Sequence, residues 1–191
     1  ALAGEGKTFF AMNVALSIAM ELGASALLVE GDILKPAVMS RLGLPQRRGL
    51  LDLLTDPKLD ASDVMLRTNV PKLSLLPAGS RSMQSTELLA SARMGEFLDE
   101  LATRYRDRII VFDAPPLLQT SEAQVLAARA GQVVVVVEAG RTSAAAFSQA
   151  MDTLESCPVV MTALNKSKES NTNMVYGYNA DSMYAEAQGV A

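Results

Sequence analysis

Lys7 and Thr8 stand directly behind Gly4-Glu5-Gly6, an arrangement suited to holding the phosphates of a nucleotide. Glycines let the backbone curl so that several N–H groups converge on one centre. The lysine ammonium then reaches the β- and γ-phosphates, and the threonine hydroxyl reaches a Mg²⁺ ion. The usual loop has one more glycine, five residues before Gly6; Ala1, the smallest substitute, is there instead. The predicted nucleotide cradle is Gly4, Glu5, Gly6, Lys7, Thr8 and Phe9. Phosphoryl transfer also needs carboxylate oxygens for the metal and a group that handles the nucleophile's proton. Asp113 follows the apolar run Ile109-Ile110-Val111-Phe112 and is the candidate metal carboxylate. Asp32 closes a second apolar run and is a candidate for the metal or for the proton. Glu30, two residues before it, projects to the same side of an extended strand. Asn165 is a candidate for hydrogen bonding the adenine edge. Three of the four tyrosines, Tyr176, Tyr178 and Tyr184, crowd near the C-terminus as candidate phosphoryl acceptors. Residue types alone leave plainer readings open. The carboxylates can be strand-end caps, Asn165 an ordinary loop residue, and the tyrosine segment a piece that orders against a partner.

These residues need a framework, and the hydrophobic pattern predicts one. A helix is expected from Lys7 to Leu22, stopped near Gly23, then a strand over Ala26–Val29. Short helical pieces follow at Val38–Leu42 and Leu50–Leu54, and a strand at Leu73–Leu76. A long helix over Ser85–Tyr105 is expected to break near Ser91. Strands at Ile109–Phe112, Gln132–Val137 and Val159–Leu164 alternate with helices at Glu122–Arg129 and Thr142–Leu154. Continuous Val, Ile and Leu strands between helices predict a parallel sheet buried on both faces, with ligands beyond the carboxyl ends of its strands. The expected fold is therefore α/β, a three-layer P-loop NTPase with a mostly parallel central sheet. A phosphate loop ordinarily joins a buried strand to a helix, and no strand precedes Ala1. The first central strand is thus expected to be missing and the domain truncated. Residues 1–165 read as the nucleotide-binding domain. Residues 166–191, rich in Asn, Ser, Gly and Tyr, read as a flexible tail.

Composition narrows the chemistry. The 191 residues are 49% hydrophobic, enough for one substantial core. A net charge of −4 without a basic block argues against nucleic acid as a partner. The chain has no histidine, which removes imidazole catalysis and histidine metal sites. A single cysteine, Cys157, rules out an internal disulfide framework and suits a reducing cytoplasm. The longest apolar run, Val133–Val137, is far too short to span a bilayer.

Taken in order, these motifs resemble the bacterial tyrosine kinases of capsular and exopolysaccharide synthesis, most closely the exosortase-associated branch. Ala3-Gly4-Glu5-Gly6-Lys7-Thr8 is similar to that family's Pro-Gly-Glu-Gly-Lys-Ser/Thr loop. Leu28-Val29-Glu30-Gly31-Asp32 with Lys35-Pro36 resembles its second acidic motif, and Asp113-Ala114-Pro115-Pro116 its Asp-x-Pro-Pro strand end. Glu138-Ala139-Gly140-Arg141-Thr142, Leu164-Asn165-Lys166 and the tyrosine-bearing tail fall at family positions. The resemblance implies an ATP- and Mg²⁺-dependent protein-tyrosine autokinase that modifies tail tyrosines between subunits of a homo-oligomer. It also implies a cytoplasmic protein recruited to the inner face of the plasma membrane. The partner there would be the cytoplasmic segment of a polysaccharide co-polymerase, and the output control of chain length or export. By carry-over, Lys7 and Thr8 hold phosphates and Mg²⁺, Asp113 and Asp32 serve the metal, and Asn165 reads adenine. Glu30 replaces the family's first aspartate, a candidate base for the tyrosine proton, and Ala3 and Leu34 depart from the family's Pro and Arg.

Two other classes fit the same loop. A MinD/ParA-like switch ATPase would share the fold, but that group has a lysine where this chain has Leu2, and a basic amphipathic helix where this chain has tyrosines. A non-catalytic nucleotide-binding regulatory subunit would use the tail for interaction.

Overall fold

A computed structural model describes residues 1–80 and 82–168. Helix α1 (Lys7–Met20) begins at once from the glycine loop, with Gly6 in the left-handed region at φ 94°. Ala11, Ala15 and Ala19 recur every fourth residue on its buried face, so the helix lies close against the sheet. Strand β1 (Ser25–Glu30) is buried along its whole length. It is followed by α2 (Val38–Arg41), α3 (Leu50–Thr55), α4 (Ala61–Val64), β2 (Leu66–Arg67) and β3 (Leu73–Leu76). The long helix predicted over Ser85–Tyr105 is two helices, α5 (Ser85–Ala90) and α6 (Ala92–Arg104). The break falls at Ser91, whose extended backbone and hydroxyl cap α6 by accepting from Met94 N–H. Then come β4 (Arg108–Asp113), α7 (Ser121–Ala127), β5 (Val133–Glu138), α8 (Ala144–Thr153) and β6 (Val160–Asn165).

The strands form two sheets, ordered β2-β3-β1-β4 and β5-β6, parallel throughout except for the short β2–β3 pair. Alternation along β1 builds the layers. Leu27 and Val29 face a core with α3, α5, α6 and α7. Ala26 and Leu28 face α1 and α2. A third cluster joins β5 to α8 through Val135, Val137, Ala150 and Leu154. This is the expected three-layer α/β arrangement.

The sheet is interrupted between β4 and β5. An apolar cleft of about 830 Å³ separates them, lined by Val111 and Phe112 of β4, Val134 and Val136 of β5, and Phe10 and Val14 of α1. Ala1 and Lys7, at the two ends of the phosphate loop, also line it. The Ala1 nitrogen donates to Val136 O at 2.9 Å.

The turn after β3 is packed onto the start of α3. Gly49 N–H donates to Asp52 Oδ2 at 2.8 Å, Leu50 N–H to Pro77 O at 2.8 Å and Leu51 N–H to Ala78 O at 3.0 Å. A Cβ on Gly49 would collide with the Pro77 carbonyl. Gly49→Ala should therefore destabilise the fold by roughly 2–3 kcal/mol. For a chain of this size that lowers the melting temperature by at least ~4 °C. Gly131→Ala, where an added Cβ meets nothing within 4 Å, is the matched control and should leave the melt unchanged.

Candidate active site

In-register pairing brings the functional strand ends level. Glu30 lies opposite Asp113 across β1 and β4, and Glu138 opposite Asn165 across β5 and β6. The glycine loop arches over these carboxyl ends, with Gly4 and Gly6 both at positive φ.

Glu5 anchors the loop rather than facing a ligand. Its carboxylate accepts from the Ala1 nitrogen, from Leu2 N–H and from the Thr142 hydroxyl. Burial pushes its carboxyl up, but these hydrogen bonds outweigh burial and leave it below the usual carboxylate range. Thr142 also accepts from Glu138 N–H at 2.9 Å, fastening the loop to the end of β5. From β6, Asn165 Nδ2 donates to Glu5 O at 2.8 Å, and a Cβ on Gly6 would strike that same amide. Lys166 Nζ donates to Gly4 O at 2.7 Å and pairs with Glu138 Oε2 at 3.1 Å. Lys166 is thus part of the site, not of a free tail. Phe9 is 59% exposed, standing outside the loop.

Lys7, Thr8, Asp32 and Asp113 come together beside the loop. Lys7 Nζ donates to Leu2 O at 2.7 Å within the loop. Burial lowers the pKa of its ammonium, partly offset by the nearby carboxylates of Glu5, Asp113 and Asp32. Asp113 is only 1% exposed, and both its oxygens are cut off from solvent without a hydrogen-bond partner of good geometry. Burial raises its pKa to about 6, helped by the negative charge of Asp32 and Glu30, against the pull of the Thr8 hydroxyl and Lys7. An unpartnered buried carboxylate beside a threonine hydroxyl fits Mg²⁺, which takes one or two protein oxygens and fills its octahedron with water and phosphate. Asp32, half-buried, accepts from Lys35 N–H at 2.9 Å through Oδ1.

Glu30 does not fit the role expected of it. It is fully buried, with Oε1 accepting from Val38 N–H at 2.6 Å and Met39 N–H at 3.4 Å, and Oε2 accepting from Ala78 N–H at 3.1 Å. A carboxylate shared among three backbone donors would leave buried N–H groups unpaired if it turned to take a substrate proton. Tyr176, Tyr178 and Tyr184 lie outside the described residues. Among the described residues, no cluster of three or more acidic, cysteine or histidine side chains is placed to hold a metal. Thr142 and Lys166 were not predicted as loop anchors; their signal is proximity to Arg141 and Asn165 in motifs already singled out.

No protein-family model matches the chain. It is 30% identical to the tyrosine-protein kinase YwqD of Bacillus subtilis, over 92% of this chain and 73% of that protein. It is 33% identical to the succinoglycan biosynthesis transport protein ExoP of Rhizobium meliloti, over 74% of this chain but only 18% of that much longer protein. Its structure superposes on the VpsO kinase domain with a TM-score of 0.76 and 31% identity, covering 85% of this chain and 80% of that one. The same fold, at 20% identity and a TM-score of 0.67, is that of cobyrinic acid a,c-diamide synthase from Mycobacterium smegmatis, solved with an ATP analogue and magnesium; 85% of this chain and 70% of that one are covered.

Proposed function

This chain belongs to the bacterial tyrosine-protein kinases, and we propose that it moves the γ-phosphoryl group of ATP onto tyrosines of its own C-terminal segment. The acceptors are Tyr176, Tyr178 and Tyr184, and the setting is polysaccharide synthesis or export, as in the name of the similar ExoP. The observation that carries the reading is the buried, unpartnered carboxylate of Asp113 beside Thr8 and Lys7, a donor set suited to a cation and phosphates.

In the reaction a tyrosine O–H bond breaks, an O–P bond forms and the bridging P–O bond of ATP breaks to release ADP. Backbone N–H groups of the Gly4–Thr8 loop orient the phosphates. Lys7 exchanges its contact with Leu2 O for the β- and γ-phosphate oxygens, stabilising charge as it shifts toward the leaving group. The Thr8 hydroxyl and the Asp113 carboxylate would hold Mg²⁺, which would supply neutralisation of the phosphate charge. Asp32, which accepts a backbone N–H through Oδ1 alone, receives the tyrosine proton and would also contact the cation held by Thr8 and Asp113. Asn165 keeps the loop in shape from β6 and borders the position of the adenine.

A tail that begins after Lys166, a homo-oligomer, and a membrane co-polymerase whose cytoplasmic segment recruits this protein belong to the same proposal. Among the described residues no helix is long and apolar enough to cross a membrane, which is compatible with recruitment through such a partner. Incubation with Mg-ATP followed by intact-mass measurement and peptide mapping tests the reading. Successive gains of one phosphate, mapped to Tyr176, Tyr178 or Tyr184, are expected. Changing all three to Phe should remove most of the signal. Phosphate mainly on Tyr105 would overturn the acceptor assignment. Steady phosphate release with no gain in protein mass would point to a switch ATPase instead.

A further inference from the structure

We propose that Glu30 is a positioning residue that acts through Asp32, closing the loop that presents Asp32 to the nucleotide; the proposal rests on the kinase reading of the site. The backbone of Glu30 is fixed in the sheet, in register with Asp113. Its side chain leaves the strand and ties down two separate places. Oε1 takes Val38 and Met39 N–H at the start of α2, and Oε2 takes Ala78 N–H in the turn after β3. Residues 31–37 therefore form a loop closed at both ends by one residue, through its main chain at one side and its carboxylate at the other. Inside that loop Gly31 N–H donates to Asp113 O at 2.9 Å, Ile33 N–H donates to Gly31 O at 3.0 Å, and Asp32 Oδ1 accepts from Lys35 N–H. With the loop held at these points, Asp32 has little freedom to move relative to Asp113.

The staple needs both the length and the charge of glutamate. Aspartate is shorter by one methylene, about 1.5 Å, and cannot hold α2 and the Ala78 turn at once. Glutamine has the length, but its amide group would meet a backbone N–H with another N–H. Partners of this kind, one step removed from a metal site, typically change metal affinity by about 10- to 100-fold when removed.

Mg²⁺ dependence of fluorescent ADP binding, measured well below the melting temperature, separates the possibilities without using catalysis. Glu30→Asp and Glu30→Gln should each raise the Mg²⁺ concentration for half-saturation by about tenfold. Amide exchange at Val38, Met39 and Ala78 should quicken in both. On an Asp32→Asn background, the Glu30 variants should add no further Mg²⁺ shift, as expected for a residue that acts through another. Faster exchange with an unchanged Mg²⁺ requirement would overturn the proposal and leave Glu30 a stabilising residue only. So would a Mg²⁺ shift that adds fully to that of Asp32→Asn. Wild-type phosphotransfer in Glu30→Asp together with none in Glu30→Gln would also overturn it, because that is the pattern of a proton acceptor. Absence of phosphotyrosine in the wild type would sink the kinase reading and still leave the binding shifts to decide the role of Glu30.

Discussion

Lys7→Met should abolish autophosphorylation while the protein still folds. Lys7 has the only ammonium within the Gly4–Thr8 loop, and its Nζ already lies inside, on Leu2 O at 2.7 Å. A short swing transfers that contact to phosphate oxygens. Losing one preorganised charged donor to a transition state costs ~10²–10³-fold in rate, and here the lost group is the loop's principal cation. The fold should tolerate the change because burial already disfavours the ammonium, and methionine fills nearly the same volume without a charge. Phosphotyrosine immunoblotting and thermal melting of the variant together make the check. Undiminished phosphotyrosine at an unchanged melting temperature would remove Lys7 from the mechanism and, with it, the assignment of the loop.

How much of this was legible beforehand depends on sequence distance. The Gly4–Thr8 loop, the helix behind it and the carboxylate ending β4 are local patterns, and the structure places each as expected. The break at Ser91 was legible for the same reason, since a serine N-cap acts on residues three positions away. Two small elements escaped: α4, four residues long, and β2, a two-residue strand that exists only because it pairs with β3. Strand periodicity cannot announce so short a piece. The side-chain destinations were the larger gap. That Glu30 reaches Ala78, 48 residues on, follows from how α2 and the turn after β3 pack, and nothing in Glu30-Gly31-Asp32 reveals it. Asn165 and Lys166 were visible as a strand-end motif. Their attachment to Glu5 O and Gly4 O, about 160 residues back, came from the parallel order that sets β6 beside the loop. Topology made those contacts, so residue spacing could suggest a site but not its wiring.

Asp113→Asn should do two opposite things: stop phosphotransfer and stabilise the nucleotide-free protein near neutral pH. The first follows from removing the carboxylate that stands beside Thr8 at the phosphate end of the loop. The second follows from the electrostatics of burial. The pKa of Asp113 rises on folding from the ordinary 3.8 to about 6 because desolvation penalises the ionised form. A carboxyl with a raised folded pKa binds its proton more tightly when folded, so stability falls as pH rises from about 4 to about 6 and stays reduced above that. A shift of about two units corresponds to about 3 kcal/mol, an upper bound on what a neutral side chain recovers because the new amide still needs hydrogen-bond partners. The gain should appear as a melting temperature higher by several degrees at pH 7.5, shrinking to about a third of that at pH 4.5. Mg-ADP should invert the order, because cation and phosphate stabilise the ionised wild type and find no carboxylate in the variant. Thermal melts of both proteins from pH 4.5 to 7.5, with and without Mg-ADP, carry the whole test. A variant less stable than wild type at pH 7.5 without nucleotide would show that Asp113 is already satisfied by the protein itself. The carboxylate would then be a structural strand end, and the cation would have to be held elsewhere.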